Sequence, residues 1–144
     1  MPVWQNAHRL SKEIFHLTIS LPRSEDYSLT SQIRRSSTSV TANIAEAFGR
    51  KTPRDKSNFY VIARGSAFET QNHLIYGNSV GYFEKKIVDD ILKNYDNLIH
   101  EINKIINSFT QPQPQPQPQP QSQPQSQPQS QPQSQPQSQP QSQP

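Results

Sequence analysis

Few side chains in this sequence combine the type and the spacing that metal binding or catalysis requires. Glu13 and His16 form the only Glu-x-x-His pair, and Glu69 and His73 lie four residues apart. A di-metal carboxylate site in a helical bundle needs two Glu-x-x-His pairs and two further inward glutamates. Because one such pair is present and the chain has no cysteine, we predict no metal site, no cofactor, no catalytic residue and therefore no enzyme.

Basic residues could support a second kind of chemistry, which is contact with phosphate. Four of them fall within seven residues whose only acid is Asp55, so four cations against one acid give +3, the net charge of the whole chain. The planar fork of arginine suits phosphate oxygens. The cluster therefore predicts a nucleic-acid surface, with a solvated loop as the alternative. Its members are Arg50, Lys51, Arg54 and Lys56.

Arg34 and Arg35 form a separate basic pair near the start of the predicted second helix. They lie roughly 20 Å or more from the cluster at the end of that helix, because an α-helix rises about 1.5 Å per residue. In one chain the two groups cannot form one patch, so the pair joins a nucleic-acid surface only through an oligomer. The alternative is that either arginine pairs with an acid of a neighbouring helix.

Asn43 and Glu46 are the polar residues that we expect the second helix to bury. They flank Ile44 and Ala45 among many small residues, and burying them without partners would be costly. We therefore predict a structural polar network between helices, with Glu69 of the next helix as a partner, that fixes the register of the bundle. The alternative is a ligand-binding or catalytic carboxylate, for which no second catalytic group is evident.

The elements that position these residues follow from apolar side chains at helical spacing. Helices are predicted over about 3–21, from a cap at Ser28 or Thr30 to residue 48, from a cap at Thr52 to about 81, and over 84–109. Short connections force neighbouring helices to be antiparallel, so residues 1–110 are predicted to form an all-α, up-down-up-down four-helix bundle. The second helix, with small residues on two sides, is expected to be central. Its inner stripe comprises Ile33, Val40, Ile44 and Phe48.

The last two helices carry more apolar residues than a single inner stripe needs. One small bundle has limited room for them, and apolar patches left exposed usually mark an interface. We therefore predict a homo-oligomer, with one wide core face as the alternative. The main seam of the last helix is Ile87, Ile91, Tyr95, Leu98, Ile102, Ile105 and Phe109. The surplus residues are Val88, Leu92, Ile99 and Ile106 beside that seam, and Tyr60, Ala67 and Gly77 of the third helix.

Residues 111–144 contain only glutamine, proline and serine. Five Gln-Pro dipeptides are followed by six Gln-Ser-Gln-Pro repeats. A segment without apolar side chains cannot offset the entropy of folding. We predict a disordered tail rich in polyproline II, and interpret it as a repeat expansion rather than a ligand for a proline-binding partner.

The motif Gln32 to Arg50, QIRRSSTSVTANIAEAFGR, resembles the signature of the 23S rRNA intervening-sequence proteins, also called four-helix-bundle or S23-type proteins. The segment from Val3 to His8 and the pair Gly81-Tyr82 also match, so the resemblance spans about residues 2–109. Two positions depart from the family pattern, with Thr41 in place of proline and Ala47 in place of glycine. Both substitutions favour an uninterrupted helix.

This resemblance implies a bacterial four-helix bundle. The family is similar to the accessory variability proteins of diversity-generating retroelements, which are homopentamers that bind nucleic acid and a reverse transcriptase. The expectation is therefore a homo-oligomer, a pentamer first, that binds RNA or DNA, with a protein–protein scaffold as the alternative. The charged start of the chain has no apolar run, so we expect no membrane association and a cytoplasmic location.

The tail is predicted to be dispensable for folding. A chain that stops after Phe109 should keep the melting temperature and helical content of the full chain, because nothing beyond that residue can pack. Circular dichroism of both chains during a thermal melt checks this, and a clear fall in melting temperature would reveal a docking site.

Overall fold

The structure, a computed structural model, describes residues 1–110 together with Pro118 and Pro120; the predictions for the rest of the tail lie outside the described residues. Four α-helices and one short 3-10 turn follow each other along the chain. Each α-helix packs against two others, α1 and α3 each contacting α2 and α4. The predicted all-α bundle is thus confirmed. Its helices are α1 (Pro2–Thr18), α2 (Leu29–Gly49), α3 (Pro53–Ser79) and α4 (Lys85–Thr110), with the 3-10 turn at Arg23–Glu25.

The helix starts use different kinds of cap. In α3 the predicted cap is present, since the Asp55 amide donates to Thr52 Oγ1 at 3.2 Å and Pro53 occupies the first turn. In α2 the capping residue Ser28 makes no side-chain cap bond. There the Leu29 amide donates instead to Glu25 Oε2 at 3.2 Å. A carboxylate from the preceding turn therefore satisfies one of the amides that begin α2.

The first helix ends earlier than predicted, at Thr18 rather than Leu21. Pro22 disfavours helical backbone at the residue before it, so the chain leaves the α-helix within the preceding turn. Hydrogen bonds from the Ile19 amide to His16 O and from the Leu21 amide to Thr18 O form tighter turns there.

The turn between α3 and α4 depends on two glycines. Gly81 has a φ of +89°, a conformation that glycine adopts without strain. The amides of Tyr82 and Phe83 donate to Gly77 O at 2.9 and 3.2 Å. The Phe83 ring then covers Gly77 so closely that a Cβ atom there would overlap the ring. The contact that requires a glycine at position 77 is therefore made by the loop residue Phe83 and not by another helix.

The core confirms most of the predicted inner stripe of α2 and corrects its end. Ile33, Val40 and Ile44 are fully buried, whereas Phe48 is 61% exposed and Ala47 occupies the inner position. Successive steps of three and four residues from Ile44 reach Ala47 first, and one further residue rotates the side chain by about 100°. At the start of α4 the same rotation exposes Ile87 and buries Val88.

The apolar surplus predicted for assembly lies inside the bundle. Val88, Ile99 and Ile106 of α4 are buried and Leu92 is half-buried, and Tyr60, Ala67 and Gly77 of α3 are buried. The alternative of one wide core face is thus correct for these residues. A different set of large apolar side chains on α3 remains exposed, among them Val61, Ile62, Phe68, Ile75 and Tyr76.

Ile44 lies at the centre of the bundle and offers a test of its packing. Ile44→Ala should lower the free energy of unfolding by about 2–5 kcal/mol, because buried methyl groups are lost and a cavity remains. Phe48→Ala, four residues later on the exposed side, should stay within about 0.5 kcal/mol. Urea unfolding followed by circular dichroism measures both, and similar losses in the two variants would contradict this assignment of the core.

Candidate nucleic-acid interface

The basic cluster lies at the junction between the end of α2 and the start of α3. Lys56 is directed back toward α2, where Nζ donates to Ala47 O at 3.1 Å and to Phe48 O at 3.2 Å. These carbonyls belong to the last turn of α2, at the negative end of the helix dipole. Lys56 therefore stabilises the helix end, and its charge is partly committed there.

Arg50 also has partners within the protein. Its Nη2 donates to Glu46 Oε2 at 3.1 Å, and its guanidinium lies 4.5 Å from the centre of the Phe59 ring. An exposed ion pair of this kind contributes roughly 0–1 kcal/mol. The pair nevertheless offsets the local positive charge of Arg50, because both side chains are about half exposed and remain close together.

Lys51 and Arg54 differ from the other two members of the cluster. Both are exposed, and neither has an ion pair or hydrogen bond to another described residue. Arg54 lies in the first turn of α3, where the free amides of a helix create positive potential. It lines an open depression together with Thr52, Pro53, Ser57, Asn58 and Phe109.

Arg34 and Arg35, near the start of α2, also differ in their contacts. Arg34 Nε donates to Thr18 Oγ1 of α1 at 2.8 Å, and its guanidinium lies 4.6 Å from the centre of the Phe15 ring. The alternative of an acidic partner therefore does not hold for Arg34, whose partners are a hydroxyl and an aromatic face. Arg35 is exposed and has no such partner among residues 1–110.

The structure does not bring Asn43, Glu46 and Glu69 together. Glu46 is exposed and pairs with Arg50, while Glu69 is exposed and pairs with His73 at 3.4 Å. Asn43 is half-buried and donates to Ser39 O at 2.8 Å within α2. The expected burial of Glu46 is wrong because its position in α2 is rotated away from the core.

Hydroxyl groups make the polar contact between α2 and α3 instead. Ser39 Oγ and Ser66 Oγ are 2.9 Å apart, and Thr70 Oγ1 donates to Ser36 Oγ at 2.8 Å. We call these two hydroxyl pairs the hydroxyl ladder. Asn43 extends it, because its side-chain amide donates to Ser39 Oγ at 3.1 Å. The four hydroxyl residues are small, so in the sequence they predict only close packing. Their helical spacing on two facing helices was the available signal.

Tyr95 of α4 is fully buried, yet its hydroxyl forms no hydrogen bond of good geometry in the described structure. Burial raises the pKa of Tyr95, and the nearby Thr70 hydroxyl, which would favour the phenolate as a hydrogen-bond partner, offsets part of that rise. The phenol therefore remains neutral, and its hydroxyl lies in the core without the compensation that buried polar groups normally have.

The candidate metal-binding and catalytic side chains are dispersed over the bundle. Glu13 and His16 line an open groove between α1 and α4 with Asp90. Within the described residues, no three His, Cys, Asp or Glu side chains are placed to hold a metal ion. Ser79 lies in a Gly-x-Ser-x-Gly spacing between Gly77 and Gly81. It ends a helix and donates to Ile75 O at 2.8 Å, whereas the hydrolase motif needs a strand-to-helix turn.

Comparison with known proteins identifies the family of this bundle. Residues 1–107 match the family described as 23S rRNA-intervening sequence protein. The chain therefore belongs to that family, as its central motif predicted. Curated proteins gave no match. No helix among the described residues is long and apolar enough to cross a membrane.

A solved structure has a similar fold. It is a protein of unknown function from the S23 ribosomal protein family of Bacteroides thetaiotaomicron, with a TM-score of 0.66 and 23% sequence identity. The match covers 72% of this chain and 97% of the other. At this identity the likeness concerns the fold.

Removal of one hydroxyl should affect the free energy of unfolding differently in the hydroxyl ladder and at Tyr95. Thr70→Val should lower the free energy of unfolding by about 1–3 kcal/mol, because Ser36 loses its donor inside the protein. Tyr95→Phe should be neutral or stabilising, because the hydroxyl it removes has no partner. Thermal and urea unfolding measure both, and a larger loss for Tyr95→Phe would show that its hydroxyl is bonded.

Proposed function

We propose that this protein is a non-catalytic, homo-oligomeric helical bundle that binds nucleic acid in the cytoplasm. RNA is the first candidate for the nucleic acid. The observation that carries the proposal is the exposure of Lys51 and Arg54 without partners, at the positive N-terminal end of α3. Cations held near a helix N-terminus suit phosphate, because backbone amides add to the attraction.

Only part of the predicted basic surface is available for phosphate. Lys51, Arg54 and Arg35 extend into solvent, whereas Arg34 and Lys56 are committed to contacts within the bundle and Arg50 is paired. Two free cations at one end of a single copy give a weak site. An oligomer would repeat them, and effective concentration would raise the affinity without any new contact. A pentamer is the first choice, from the family resemblance alone.

A second candidate function is a protein–protein scaffold or accessory subunit that does not itself bind nucleic acid. The exposed apolar side chains Phe68, Ile75 and Tyr76 on α3 favour it, since large exposed apolar patches mark protein interfaces. Salt dependence separates the two functions. Phosphate contacts release counterions, so binding to RNA should weaken steeply as salt rises.

The test compares two double variants of equal charge. Lys51→Ala with Arg54→Ala removes the free cations at the α2–α3 junction. Lys93→Ala with Lys104→Ala removes two exposed cations of α4. Gel shifts with structured and single-stranded RNA over a salt gradient should show at least tenfold weaker binding for the first pair only. Its slope of log affinity against log salt should fall by about 1–2.

Arg50 and Lys56 are left unchanged in this test because their substitution would also disturb the end of α2. Light scattering should give the same mass for both double variants and the natural chain. Equal RNA binding by the two variants, or a chain that binds no RNA at low salt, would contradict nucleic-acid binding through this surface. A monomeric mass would contradict the oligomer.

A further inference from the structure

The outward side of α3 carries a second stripe, opposite the buried one. Its residues follow alternating steps of four and three, as in a coiled-coil seam, and all are exposed. Val61, Phe68 and Ile75 are 41%, 53% and 54% exposed. Solvent-facing positions of a helix normally carry charged residues, so these side chains are unusual there. We call this stripe the α3 seam: Val61, Gly65, Phe68, Asn72 and Ile75.

Gly65 lies in the middle of the α3 seam, and no contact within one copy of the chain requires a glycine there. A Cβ atom added to Gly65 would meet no atom within 4 Å, in contrast to Gly77, where Phe83 requires the space. Glycine in a helix interior is less favourable than alanine. A close approach by a helix from outside the copy would explain why glycine occupies this position.

The outward side of α2 has the same spacing but the opposite shape. Six exposed residues follow steps of four, three, four, three and four. Five of them are small, and no charged residue lies between Thr38 and Ala45. Such small side chains leave room on this surface for large side chains of another helix. We call it the α2 seam: Ser31, Arg35, Thr38, Ala42, Ala45 and Gly49.

The two seams complement each other. Large apolar residues of the α3 seam fit the small residues of the α2 seam, and facing 3-4 patterns pack at a crossing angle of about 20°. With Gly65 placed opposite Ala42, the two helix backbones can approach closely.

Charge selects the direction of this packing. In the antiparallel arrangement with Gly65 opposite Ala42, Arg35 lies opposite Asn72 and within one helical turn of Glu69. In the parallel arrangement Arg35 would lie opposite Asn58, within one turn of two cations, Arg54 and Lys56, and of one acid, Asp55. Arg35 is exposed and has no partner within the described residues, and Glu69 is exposed. Opposite charges therefore favour the antiparallel arrangement, in which Arg35 serves the contact between copies and leaves Lys51 and Arg54 as the cations for phosphate.

We propose that the α3 seam of one copy docks antiparallel on the α2 seam of a second copy. The contact is heterologous, because it joins two different surfaces, the α3 seam of one copy and the α2 seam of the next. Such contacts close into rings or continue as filaments. This inference rests on the homo-oligomer of the proposed function and names the surfaces that form it.

The test uses the absence of cysteine from the chain. Full-length Gly65→Cys and Ala42→Cys variants are mixed, allowed to exchange subunits and oxidised mildly. A disulfide needs Cα atoms about 4.4–6.8 Å apart, so covalent dimers should form in the mixture and in neither variant alone. Lys93→Cys, exposed on α4, replaces Ala42→Cys in the control mixture and should give no dimer with Gly65→Cys. A mixture of Gly65→Cys and Ala45→Cys tests the same contact with its register shifted by one helical turn.

The outcomes separate this inference from the proposed function. Dimers of Gly65→Cys alone would show that two α3 seams pair, which overturns the heterologous contact. An oligomeric mass without any cross-link to position 42 or 45 would also overturn it and leave the oligomer standing. A monomeric mass would overturn both. Gly65→Gln adds an independent check, since a side chain at this position should shift the natural mass toward monomer while helicity is kept.

Discussion

The close contact between α2 and α3 is the interaction on which the rest of the structure depends. Two hydroxyl pairs connect these helices, Ser39 with Ser66 at 2.9 Å and Ser36 with Thr70 at 2.8 Å. Small side chains allow the helix axes to come near, and the hydrogen bonds favour one rotation and register, because a shifted helix would break both hydroxyl pairs. The basic junction connects these two helices, so their contact also holds the junction in place.

The division of the basic residues follows from the same geometry. Lys56 is held over the last carbonyls of α2, and Arg34 is held between Thr18 and the Phe15 ring. Both contacts stabilise a helix or a helix pair. Counting cations in a sequence therefore overstates the charge available to phosphate, since residues near helix ends also serve the backbone. Lys51 and Arg54 extend from the junction because no acceptor faces them.

The sequence predicted the features that depend on local pattern. Four helices, the Thr52 cap and the burial of Ile44 follow from periodicity and from cap chemistry, which act within a few residues. Errors arose where one residue changes the side of a helix, as at Phe48 and Ile87. Partners of polar groups were missed for a further reason. Whether Glu46 meets Glu69 depends on the rotation of two helices about each other, and no single helix encodes that rotation.

The two helices in closest contact are also those with a second patterned side. In α1 and α4 the surface opposite the core is mostly charged or polar, as on a solvent-facing helix. The α3 seam has no charged residue and the α2 seam has one, Arg35; large apolar residues dominate the first seam and small residues the second. A helix with so little charge on its outward side is suited to burial on both sides. Under the proposed contact between copies, the residue patterns of α2 and α3 would satisfy two packing requirements, one within the bundle and one on its surface. Gly65 is the position at which the second requirement is plainest, because nothing in the bundle calls for a glycine there.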